Sequence, residues 1–117
     1  RMSYDPNRSG LSTETIIDWC QRDHLSSSES LISVPGVGPA LKEVFEKNNI
    51  FTIAQLLARF LENIDGKRDT GEVCQAFFAS VKTMVTNTTA SRANIHALTF
   101  AVANFLAEKG IFTYDLD

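Results

Sequence analysis

The sequence predicts an all-α chain, a compact bundle of five to six helices. Three observations carry that reading. Apolar residues recur at the spacing of one buried helix face, as in Ile16, Trp19 and Cys20 or in Ile53, Leu56, Leu57, Phe60 and Leu61. Helix-start chemistry stands at the heads of these segments: Ser12 or Thr13, then Thr52 with Gln55, then Asp69 with Glu72. No stretch alternates apolar and polar residues as a half-buried strand does, and no internal repeat is present.

The elements follow in order. Residues 1–11 carry Pro6, Asn7 and Gly10 with little apolar content and read as a flexible N-terminal arm. A single helical domain spans 12–110. Its first helix runs from Leu11 to His24, with Trp19 as a core anchor. Leu31, Ile32 and Val34 form a short apolar helix, and a second helix runs from Pro39 to Asn48 with Ala40, Leu41, Val44 and Phe45 at helical spacing. Glu43 and Lys47 stand at i, i+4 in the favourable order for an ion pair. Asn49 suits the left-handed residue that ends such a helix. The Thr52–Gln55 box opens a helix through Glu62, and Asp69–Glu72 opens one to Val85 with Val73, Phe77, Val81, Met84 and Val85 inward. The last helix is expected from Thr89 to Lys109, closed by Gly110, with its alanines suited to central packing. Residues 111–117 are an apolar, then acidic, C-terminal tail.

Composition narrows the function classes. At 117 residues the chain is large enough for a modest core without staples, and a 44% hydrophobic, 21% charged make-up is that of a globular domain. Cys20 and Cys74 lie far apart with no ligand-like neighbours, so no metal is expected, and buried free thiols in a reducing compartment are the simpler reading. No apolar run approaches a membrane span, so neither membrane nor secretory targeting is expected, and the chain is placed inside the cell, nuclear or cytoplasmic. The net charge of −3 gives no support to nucleic-acid binding at the level of the whole chain. Catalysis has no carrier. His24 and His96 stand near no Ser, Cys or Asp in a nucleophile pattern, His96 reads as half-buried in the last helix, and Gly38-Pro39-Ala40-Leu41 lacks a phosphate-loop lysine. No catalytic residue and no cofactor are assigned.

The chemistry concentrates at Val34-Pro35-Gly36-Val37-Gly38-Pro39-Ala40-Leu41. Gly36 and Gly38 permit backbone angles that a Cβ resists, and Pro39 fits the first turn of a helix. The segment makes a tight hairpin whose second helix points free N–H groups at its mouth, a seat for phosphate. Gly36, Val37, Gly38 and Ala40 supply the backbone of that seat, and Lys42, one turn on, adds charge.

This pattern, over 31–48, resembles the helix-hairpin-helix motif of sequence-independent DNA-binding proteins. Gly36-Val37-Gly38, Leu41, Asn49-Ile50 and Leu56-Leu57-Ala58-Arg59-Phe60-Leu61 resemble, without a gap, the centre of the barrier-to-autointegration factor family. Asn87-Thr88-Thr89-Ala90-Ser91-Arg92 and Phe105-Leu106 resemble its second block, and the likeness covers roughly 34–106. The resemblance implies a non-enzymatic double-stranded DNA binder without sequence preference. It also implies a second phosphate contact from Ser91 and Arg92 at the start of the last helix. It further implies a homodimer joined through Leu57, Ala58 and Leu61, with Ala58 where the family has glycine, and a protein partner at the nuclear envelope. The departures favour an alternative. Glu43 and Val44 replace two adjacent lysines of the family, and Thr89 replaces a third. A dimerising protein-interaction or scaffold domain of the same fold, having lost DNA binding, therefore stands beside the first reading, since few neutralised phosphates make a weak duplex contact.

Overall fold

The last helix is the axis on which the rest is assembled. The computed structural model describes residues 3–114, which form α1 (Thr13–Gln21), α2 (Pro39–Lys47), α3 (Ile53–Leu61), α4 (Thr70–Val85) and α5 (Ile95–Glu108). Single 3-10 turns stand at Pro6–Arg8 and Leu31–Ser33, and no strand occurs among the described residues. The chain is thus an all-α bundle. Ten of the fourteen residues of α5 are buried, including Ala97, Ala101 and Ala103, whose small side chains let neighbouring helices approach. Helices α1 and α4 and the Pro6–Arg8 turn pack on α5, while α2 and α3 rest on α4. Phe45, Phe60, Phe77, Phe78 and Phe105 are fully buried in one cluster, each contributing about 1.5–3 kcal/mol relative to exposure.

The expected caps form. In α3, Thr52 Oγ1 accepts from the Gln55 N–H (3.0 Å) and Gln55 Oε1 accepts from the Thr52 N–H (3.1 Å). In α4, Asp69 and Glu72 make the same exchange at 2.8 and 2.9 Å. Asn49 (φ 64°) and Gly110 (φ 74°) adopt the left-handed conformation that closes α2 and α5.

Two helices are shorter than expected, for local reasons. Helix α1 stops at Gln21 because His24 turns back, and its Nε2 donates to the Trp19 carbonyl (2.8 Å) that another helical turn would have used. Helix α5 begins at Ile95 rather than Thr89. The Thr88 hydroxyl donates to the Val85 carbonyl and accepts from the Ala90 N–H, holding residues 86–94 in successive turns. Asn94 then caps α5, its Oδ1 accepting from the Ala97 N–H.

The N-terminal arm is docked along residues 3–11 rather than flexible. Asn94 Nδ2 donates to the Ser9 and Arg8 carbonyls (3.0 and 3.3 Å), and the Tyr4 N–H donates to Gln75 Oε1 (2.7 Å). The arm and tail also meet, Tyr4 Oη lying 2.6 Å from Tyr114 Oη, while Phe112 packs edge-on against Phe60. Residues 1–2 of the arm and 115–117 of the tail lie outside the described residues.

Candidate nucleic-acid interface

The hairpin is held by its apolar residues and freed at its tip. Leu31, Val34, Val37 and Leu41 are buried and tie both limbs to the core. The two glycines do different work. Gly36 has φ +93°, and a Cβ there would lie 2.8 Å from the Leu98 nitrogen and 3.1 Å from the Asn94 oxygen. It is the point at which the hairpin backbone touches the first turn of α5. Gly38 is the N-cap of α2, with extended backbone (φ −106°, ψ −175°), no side-chain cap and nothing within 4 Å of a Cβ. Pro39 follows at the first helical position and has no N–H to satisfy. The N-terminal end of α2 therefore offers the Ala40 and Leu41 amides with no side chain in the way, an arrangement that suits an anion.

The seat divides once the side chains are placed. Val37 is core, and only its backbone is available. Lys42 Nζ is paired with Glu46 at 2.8 Å, so its charge is already compensated. The Glu43–Lys47 pair expected from spacing is not formed; Lys42–Glu46 is the ion pair of α2. Ser91 and Arg92 are exposed, but they sit in the turns before α5, not on its first turn. They line a cleft of about 390 Å³ with Arg8, Lys82, Phe78 and His96, and the hairpin residues do not line it.

Residues Arg8, Lys82 and His96 were not singled out as a site by sequence reasoning. His96 is 6% exposed, and its Nδ1 accepts from the Asp5 N–H at 3.1 Å. Its Nε2 is buried without a partner; Thr99 Oγ1 is the other such side-chain atom among the described residues. Burial first, then the nearby Arg8 guanidinium and Lys82, against the opposing Asp5 carboxylate, holds His96 below the usual histidine range. One sign of this site was legible: Asn94 directly before the apolar run from Ile95 is an N-cap signature.

On α3, Leu57 is 1% exposed within the single chain, so it belongs to the core and not to a dimer contact. Ala58 is exposed and Leu61 half-buried, and with Phe51 and Ala54 they form an outward stripe. Elsewhere, Cys20 and Cys74 are free and buried. Burial pushes the Cys74 thiol up to about 12 and raises that of Cys20, which disfavours the nucleophilic thiolate. Among the described residues no group of three acidic, His or Cys side chains is placed to hold a metal, and no helix is long and apolar enough to cross a membrane.

Compared with known proteins, the chain matches no family model, no curated protein and no solved structure.

Proposed function

We propose that the chain is a non-enzymatic, sequence-independent binder of double-stranded DNA that acts as a homodimer, as its resemblance to the barrier-to-autointegration factor family implies. The observation that supports this most is the open N-terminus of α2 at Gly38, with helix-end donors facing an unobstructed mouth. Gly36 sets that mouth against the α5 turn that follows the exposed Ser91 and Arg92 in the chain. Such contacts grip phosphates and carry no base information. The exposed Glu43 opposes a duplex and keeps the affinity modest. Two unpaired thiols fit an intracellular setting, nuclear or cytoplasmic.

A salt titration against random-sequence duplex tests the reading. Gly38→Glu should abolish binding, because the carboxylate fills the anion's place, and the open, extended backbone lets the variant fold. Arg92→Glu should weaken all sequences equally and flatten the salt dependence by about one unit of slope. Glu43→Lys should tighten binding. No duplex binding by the wild type at ~50 mM salt, where non-specific attraction is strong, would sink the proposal and leave a scaffold domain.

Self-association is assigned to the α3 stripe around Ala58 and Leu61. Ala58→Glu should give a monomer, since it places like charges in a desolvated contact. Light scattering checks it; a wild type that stays monomeric at high micromolar concentration refutes the dimer.

A further inference from the structure

His96 Nε2 is a buried donor with nothing to donate to. Because Nδ1 accepts from the Asp5 N–H, the neutral ring carries its proton on Nε2. The same surroundings that hold the ring below the usual histidine range, burial first and then Arg8 and Lys82, keep it neutral at pH 7. An imidazole held neutral, with one N–H unpaired, responds to charge brought beside it.

Residue His96 also lines a cleft that is rich in donors. Arg8 comes from the arm, Lys82 from α4, and Ser91 and Arg92 from the turns before α5. Phe78 lies tilted against the imidazole, 4.6 Å between ring centroids, and backs the wall. No carboxylate lines the cleft, and among the described residues none of the three cations is in an ion pair. Asn94 fixes the geometry, since one side chain caps α5 and holds the Arg8 and Ser9 carbonyls.

We propose that this cleft is a phosphomonoester site: Arg8, Lys82 and Arg92 surround a terminal phosphate and Ser91 Oγ donates to its oxygens, with the His96 ring beside it as a reporter of the bound charge. A terminal phosphate carries about −1.5 to −2 charges and three strong acceptor oxygens. An internal diester offers one charge and fewer free oxygens, and suits the backbone donors at Gly38 instead. The site thus goes beyond the duplex reading, though it shares Ser91 and Arg92 with it. The same group could be a free phosphate or the 5′ end of a nucleic acid, and the two are separable by experiment.

The primary test follows the His96 ring by nitrogen-edited NMR on the intact chain while inorganic phosphate is added at constant ionic strength, with chloride as control. A saturable shift of the His96 signals is expected, with Lys82→Ala and Arg8→Ala each weakening it about tenfold. No saturable shift up to ~20 mM phosphate, well above a millimolar dissociation constant, overturns the proposal, as does unchanged affinity in both variants. Tighter binding of a 5′-phosphorylated duplex than of its 5′-hydroxyl twin assigns the source to nucleic-acid ends; equal binding of the two, with phosphate still bound, assigns it to a free phosphate. Lys82→Ala should leave the 5′-hydroxyl duplex within about twofold, while Gly38→Glu should lose that duplex and keep phosphate. Failure of the duplex reading therefore leaves the phosphate result standing, and the reverse.

Discussion

Gly36→Ala is expected to cost a large share of the chain's stability, whereas Gly38→Ala should leave it almost unchanged. At Gly36 the added methyl meets backbone, the Leu98 nitrogen at 2.8 Å and the Asn94 oxygen at 3.1 Å, so no flexible side chain can yield. The backbone also sits at φ +93°, which an alanine resists. Conformational strain of about 1 kcal/mol adds to overpacking of about 1–3 kcal/mol, giving an expected loss of ~2–4 kcal/mol. A domain of this kind holds only about 5–15 kcal/mol in total. At Gly38 neither term applies, since φ is −106° and nothing lies within 4 Å. Urea unfolding of the two variants measures the difference. Equal midpoints would show that the hairpin is not pressed against α5.

Trp19→Ala is expected to cost ~3–5 kcal/mol, the range for emptying a buried aromatic site. Trp19 is 3% exposed and lies between His24, at 3.7 Å between ring centroids, and Phe105, at 5.4 Å. Its Nε1 donates to the Ala101 carbonyl at 2.8 Å, tying α1 to the middle of α5. Trp19→Phe keeps most of the volume and removes the donor, so it should cost less, about 1–2 kcal/mol. The loss should reach beyond α1. With the ring gone, His24 loses its stacking face, and Glu29, which meets His24 Nδ1 at 2.7 Å, loses the support of that ring. Thermal unfolding followed by circular dichroism gives both numbers. A Trp19→Ala loss below that of Trp19→Phe would refute the anchor role.

The number and order of the helices were legible because their signals are local. Thr52 with Gln55 and Asp69 with Glu72 satisfy one another within a single turn, so spacing alone predicts the bond. Asn49 and Gly110 end their helices by a property of one residue's own backbone. The apolar stripes of α3 and α4 likewise named their buried faces, with Leu61 and Met84 only half-buried. The misjudged boundary, Thr89 for Ile95, arose where Thr88 and Asn94 side chains compete with the helix for backbone groups.

What only the tertiary structure decided is which faces meet. Two glycines of one motif look alike in sequence, yet Gly36 is pressed on the distant first turn of α5 and Gly38 is open. Leu57 and Ala58 are adjacent, but the helix turns the first into the core and the second outward. Arg8, Lys82, Arg92 and His96 form one cleft from three parts of the chain, and nothing in the spacing of 8, 82, 92 and 96 announces it. The −3 net charge hides such a cationic site, because charge summed over a chain says nothing of where it stands. The sequence by itself determined the order of the helices and their caps, since bonds within a few residues depend on spacing alone. The docking of the arm, the cleft and the division of labour between the glycines came from packing, because contacts between distant residues are set by how whole elements fill space against one another.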